Sequence, residues 1–303
     1  MNRYVVDPDW HGYIIWYFYL GGIAAGSYAL ASLANLFGDE DDRRASRFAY
    51  YIAFPLVVVC GVLLVIDLGR PERFWHMLIQ SETFRPMFKW WSPMSVGSWG
   101  LTAFGAFSFV SFLGVLVEDG WLPRRAWSSW AAAIGRGRSG RLFSLAGAVS
   151  AFFLGSYTGV LLSATNQPFW SDTTWLAPLF LASSASTGLA VLILLARWRS
   201  RDVPEDAIGR LEWADGWAVA MELILLVAFA LSLGRLAGPA FSRWPGVLIP
   251  AFVVPVGLVL PMILRRSPKV GRGWASSLLI LAGGFALRAA VVGMPVTWLL
   301  SRH

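Results

Sequence analysis

Eight stretches of this chain are each long and apolar enough to cross the hydrocarbon layer of a bilayer, roughly 30 Å thick, which takes about 20 helical residues. They run at Tyr13 to Phe37, Phe48 to Leu68, Met94 to Val117, Leu142 to Ser163, Thr174 to Ala196, Ala214 to Leu236, Pro245 to Leu264 and Trp274 to Leu299. A chain in lipid must satisfy its own backbone polar groups, so only helices or a closed barrel can span, and the alternating pattern of barrel strands is absent here. Composition agrees, with 56% hydrophobic and only 14% charged residues among 303, where a soluble domain carries about 25% charged. The expected fold is all-α: a polytopic integral membrane protein with eight transmembrane helices in two four-helix bundles. The first bundle is residues 1–163, including a cytoplasmic linker at 118–141, and the second is 164–303. Runs of small residues, Gly21 to Gly26 and Ala182 to Ser186, allow close helix contact.

Orientation is read from the connections. The linkers after spans 1, 3, 5 and 7 hold sixteen Lys and Arg, against eight on the other side. The excess marks the cytoplasmic face, so both termini are expected on the outer, periplasmic side of a prokaryotic cytoplasmic membrane. The same asymmetry accounts for the net charge of +7 without nucleic acid as a partner. Met1 to Gly12 carries one Arg and two Asp, too weakly basic for a cleaved signal peptide, so span 1 is expected in the mature protein. On the outer side, Asp67 to Pro93 mixes charges, aromatics and prolines. Such a loop reads as a docking and lining surface, with Arg70, Arg73, Lys89 and Trp90 as candidate partner contacts. A belt of aromatics at the headgroup level is the plainer reading of any single Trp or Tyr.

Scarce residue types exclude several chemistries. One cysteine, Cys60, cannot build a disulfide framework or hold an iron-sulfur cluster, so any cluster must sit on a partner. His11, His76 and His303 all lie outside the spans, and a haem held inside a helix bundle needs histidines within it. Neither haem nor a metal site is expected in this protein.

Ionisable groups inside spans are costly, about 2.5 to 3.5 kcal/mol or more, and normally face the protein interior and pair. Glu222 in span 6 and Arg288 in span 8 are such groups. They can pair directly or through waters, either as a staple between helices or, with Asp215, as the start of a proton route. Tyr157 lies near the outer end of span 4 in GSYTGVLLSATNQP, where small neighbours leave room for a flat ring. A phenol beside a cavity can donate a hydrogen bond to a quinone carbonyl and pass on a proton. Asp67, Tyr13 and Tyr17 stand at the same level on spans 2 and 1, so a headgroup pocket can close between them.

Five stretches, WYFYLGGIAAGSY, DLGRPERFWHML, FKWWSPMSVGSW, GSYTGVLLSATNQPFW and GGFALR, occur in order at spans 1, 2, 3, 4 and 8. Together they resemble the membrane subunits of the polysulfide reductase or NrfD-like family. The resemblance extends over nearly the whole sequence. It implies a quinone-reactive anchor without haem, binding menaquinone or ubiquinone. Its implied partners on the outer face are an iron-sulfur subunit with four-iron clusters and a molybdopterin catalytic subunit. Through the YTG motif, the family's quinone-site tyrosine carries over to Tyr157, with Thr158 beside it. Related subunits offer the quinone an amide and an imidazole from span 1, whereas this chain has Tyr13, Trp16 and Tyr17 there. Asp67, Glu222 and Arg288 are the positions that match the family's proton-carrying groups. Two other functions fit the residues: a proton or ion translocator using Glu222 and Arg288, with Pro250, Pro255 and Pro261 breaking span 7, or a purely structural anchor for catalytic subunits.

Overall fold

The computed structural model describes residues 10, 12–123, 130, 131, 134, 137–199, 203–265 and 270–300. His11, His303 and part of the linker at 118–141, with Arg124, Arg125 and Arg136, lie outside the described residues. The helices are α1 (Gly12–Phe37), α2 (Glu40–Ser46), α3 (Phe48–Asp67), α4 (Pro93–Glu118), α5 (Gly137–Ser163), α6 (Leu176–Trp198), α7 (Glu205–Ser232), α8 (Ala237–Ser242), α9 (Leu260–Arg265) and α10 (Val270–Leu300). No strand occurs among the described residues; a single bridge joins Ile79 and Pro86.

Seven helical segments among the described residues are long and apolar enough to cross a membrane, with α2 and α3 counted as one run. The chain is a multi-pass membrane protein. The expected span at Pro245 to Leu264 is a shorter apolar helix, Ile249–Arg265, wound as a π-helix over Ile249–Val259 before α9. Prolines explain the change: Pro250 and Pro255 bring no N–H to the helical ladder, and a widened turn relieves the ring's clash with the preceding carbonyl. Span 6 begins nine residues earlier than its apolar window, at Glu205. Its polar first turns are held by ion pairs from Arg210 to Asp39 and Asp42 and from Arg197 to Glu212.

The helices α1 and α6 form the centre. Buried residues make up 72% of the spanning window in each, against 22 to 28% in α3, α4 and α7, whose remaining apolar surface faces lipid. Besides α3, α5 and α6, α1 packs on α10, so it touches both halves of the molecule. Its small-residue run sits at these contacts. Gly26 meets the backbone of Ser184, and Gly188 meets that of Ser27 and Gly26. Outside the spans, α2 is fixed by a capping box in which Asp39 accepts the Asp42 N–H at 2.8 Å. That hydrogen bond, helped by Arg210 and Arg43, holds the Asp39 carboxyl below the usual carboxylate range.

Candidate functional site

One end of the bundle carries the starts of α1, α4 and α6 and the ends of α3 and α5. A cavity of about 640 Å³ opens there among α1, α3, α4 and α5. Tyr17, Asp67 and Tyr157 all line it, and most of the remaining wall is aliphatic or aromatic. Ser98 and Thr102 also reach the wall, but their hydroxyls donate to the backbone one turn back, to Met94 O and Ser98 O. Trp10 closes one side, stacked on the fully buried Trp170 with ring centroids 5.1 Å apart. Trp170 is fixed in turn by its indole N–H donating to Val291 O at 2.7 Å.

The two phenols differ in what they can offer. Tyr157 donates its hydroxyl to Pro93 O at 2.6 Å, and its ring occupies the space left by Gly97, where a Cβ would lie 2.0 Å from the phenol. Phe153, one turn earlier, is parallel to it and fills the matching notch at Gly100. Tyr17 is buried, yet its hydroxyl makes no hydrogen bond among the described residues. It is therefore the phenol with a proton available to a guest.

Two other expected members stand apart from the wall. Tyr13, one turn above Tyr17, is 45% exposed and emerges from the helix end instead of facing inward. Thr158 is buried beside Tyr157 but does not line the cavity, because adjacent helical residues point about 100° apart. The sequence reading does not single out Trp10, Gly97 or Pro93. Only the small size of Gly97 near an aromatic-rich entry to span 3 could have marked it.

The connection after α3 lies beside this cavity. Gly69, at φ +68°, turns the backbone out of α3, and Pro71–Met77 forms a 3-10 helix that brings Phe74 and Met77 to the cavity wall. The Trp99 indole N–H donates to Met87 O at 2.9 Å and ties the loop back to α4. Arg70, Arg73 and Lys89 are exposed there and form no ion pair among the described residues. Trp90, 75% exposed, stands beside them.

Glu222 and Arg288 are both buried, and of the arrangements open to them they do not form the direct pair. Arg288 donates to Phe18 O at 3.0 Å, Gly284 O at 3.0 Å, Ser183 Oγ at 2.9 Å and Ser184 Oγ at 3.3 Å. Gly22 leaves room for the guanidinium. Glu222 accepts from Ser186 Oγ at 2.5 Å. Hydroxyls of α6 thus stand between the two charges, and the Ala182 to Ser186 run supplies polar partners as well as small size. Two turns away on α7, the fully buried Asp215 pairs with Arg265, which also donates to Glu212 O and Ser276 Oγ. Arg265→Gln would leave that carboxylate buried without its cation. We expect a loss of about 3 to 5 kcal/mol, read as a lower thermal midpoint in detergent and partly recovered in the Asp215→Asn, Arg265→Gln double variant.

The family model for polysulphide reductase, NrfD, matches residues 5–296. The chain belongs to the NrfD family. The C chain of the polysulfide reductase of Wolinella succinogenes is 28% identical over 308 residues, covering 92% of each protein. Protein NrfD of Escherichia coli is 29% identical over 309 residues, covering 92% of this chain and 90% of that protein. The C subunit of the selenate reductase of Mesobacillus selenatarsenatis is 29% identical over 125 residues, 41% of this chain and 26% of the relative. In this member of the NrfD family the cavity, the phenols and the loop after α3 all fall inside the matched region.

Proposed function

We propose that this NrfD-family protein is the quinone-reactive membrane subunit of a respiratory oxidoreductase in the cytoplasmic membrane. It would exchange electrons between menaquinone or ubiquinone and an iron-sulfur subunit that serves a molybdopterin enzyme. The observation that carries the reading is the cavity itself: a largely apolar chamber of about 640 Å³ with the Tyr17 hydroxyl and Asp67 at its wall. A prenylated ring matches that chemistry, since the aliphatic wall suits its tail and a phenol with an uncommitted proton suits its carbonyl.

A bound quinone supplies a couple of two electrons and two protons. Tyr17 would hold the headgroup by donating its O–H, and Tyr157, pinned to Pro93 O, would set the ring's plane from the opposite wall. Asp67, at the end of α3, would give or take the proton near the loop surface. Glu222, Arg288 and Asp215, with the α6 hydroxyls between them, would carry protons to or from the cation-rich end. Arg70, Arg73, Lys89 and Trp90 would dock an acidic face of the iron-sulfur subunit, bringing it next to the cavity. The relatives named as components of polysulfide reductase and selenate reductase support a membrane subunit of this class of complex.

The test is saturable binding of a quinone analogue to the purified protein. Loss of one neutral hydrogen bond is worth about 0.5 to 1.5 kcal/mol, so Tyr17→Phe should weaken binding roughly two- to twelvefold. Tyr157→Phe should weaken it less, because its proton already belongs to Pro93 O. Saturable binding with the reverse order would move the donor role to Tyr157. Absence of binding both in the isolated protein and in its assembled complex would reject the quinone reading in favour of a structural anchor.

A further inference from the structure

The opposite, cation-rich end of the bundle holds two adjoining chambers of about 350 and 420 Å³, which share Asn35, Arg43 and Ser144 as walls. In the first, the charges are largely compensated. Arg44 pairs with Glu40 at 2.5 Å, and Arg47 pairs with Glu118 at 3.0 Å and Asp119 at 2.8 Å. The second is lined by Arg43, Arg138 and Arg141, with no carboxylate on its wall among the described residues. These three guanidinium groups form no ion pair or side-chain hydrogen bond among the described residues. The first turn of α5 also borders this chamber through Gly137 and Gly140, and the positive end of a helix dipole favours an anion.

Three arginines around one chamber, of which only Arg43 has a carboxylate acting on it, that of Asp39, repel one another unless an anion joins them, and the guanidinium fork is matched to phosphate oxygens. What kind of phosphate follows from the rest of α5. Directly after Arg138 and Arg141, the helix exposes Leu142, Leu145, Val149 and Phe152 at helical spacing, with exposures of 69, 51, 61 and 41%. The arginines therefore sit at the head of an apolar stripe that runs into the spanning part of the helix. An amphiphile uses both features, whereas a free phosphate uses only the first. A single phosphodiester would neutralise one of the three cations. Two would come closer to balance, and the joined chambers give room for a second group.

We propose that these chambers bind the headgroup of a glycerophospholipid with two phosphodiester groups, of the cardiolipin class. Its phosphates sit among Arg43, Arg138 and Arg141, and its acyl tails lie along the Leu142 to Phe152 stripe. This site is separate from the quinone cavity, which lies at the other end of the bundle.

The experiment is native mass spectrometry of the purified full-length protein, titrated in detergent with tetraoleoyl cardiolipin, dioleoyl phosphatidylglycerol or inorganic phosphate. Each arginine near a membrane surface contributes a factor of about five to anionic lipid binding, so R138Q/R141Q should weaken cardiolipin retention about 30-fold. R138K/R141K should recover most of it, and R85Q, at the opposite end, should leave it unchanged. Both arginines are exposed, so the variants should melt with the wild type. Leu145→Asn should weaken the lipid without affecting an inorganic anion. Equal retention of cardiolipin and phosphatidylglycerol would overturn the two-phosphate assignment. Displacement of lipid by millimolar phosphate, or indifference to R138Q/R141Q, would overturn the lipid site altogether.

Discussion

Gly26→Val is expected to leave almost no folded protein in the membrane fraction. A Cβ at Gly26 would lie 1.8 Å from Ser184 O and 2.5 Å from its carbonyl carbon, and one at Gly188 would lie 2.4 Å from Ser27 N. These neighbours are backbone, so no rotamer change makes room and α1 must move away from α6. Arg288 braces the same two helices through Phe18 O on α1 and Ser183 and Ser184 on α6. Separation therefore also strips partners from a buried cation. Overpacking alone costs about 1 to 3 kcal/mol, and uncoupling a buried charge adds a comparable amount, so the total should be at least about 3 kcal/mol. The readout is the monodisperse fraction after detergent extraction, with Gly216→Val as the comparison because nothing lies within 4 Å of a Cβ there. Equal recovery of the two variants would mean that α1 and α6 do not meet at Gly26.

The spans were legible because about 20 apolar residues in lipid have few alternatives to a helix. Their edges were less so. The apolar window of span 6 starts at Ala214, yet α7 begins at Glu205, because Arg210 and Glu212 find ionic partners outside the hydrocarbon. In span 7 the prolines were plain in the sequence, but the π-helix they favour depends on neighbouring packing. There Gly257 lies against Gly283 so closely that a Cβ would be 2.7 Å from its Cα.

The site was legible in part for a similar reason. Membrane depth follows from position along a span, so the sequence alone places Tyr17, Asp67 and Tyr157 at one level. Which way a side chain turns at that level depends on neighbours, and this separates Tyr17 from Tyr13 and Tyr157 from Thr158. Pairing is less visible still. Glu222 and Arg288 look like natural partners by charge, but each finds hydroxyls on α6, a helix that carries no ionisable residue between Leu176 and Ala196.

Gly97→Ala should damage the cavity far more than removing the hydroxyl it shelters. The added methyl would lie 2.0 Å from both Cζ and the hydroxyl oxygen of Tyr157, so the ring must leave the notch and give up its hydrogen bond to Pro93 O. Phe153, parallel to Tyr157 and seated against Gly100, blocks retreat along α5. The open direction is the cavity that Tyr157 already borders. A ring driven into that space competes with any guest, and restoring the original wall costs about 1 to 3 kcal/mol of overpacking. Quinone-analogue binding should fall roughly five- to 150-fold in Gly97→Ala, against a smaller change in Tyr157→Phe, whose ring stays seated. Adding Tyr157→Leu to Gly97→Ala removes the colliding ring and should restore part of the affinity. Wild-type affinity in Gly97→Ala would show that the guest does not use the wall formed by Tyr157, and would leave Tyr17 and Asp67 to bind it from the opposite side.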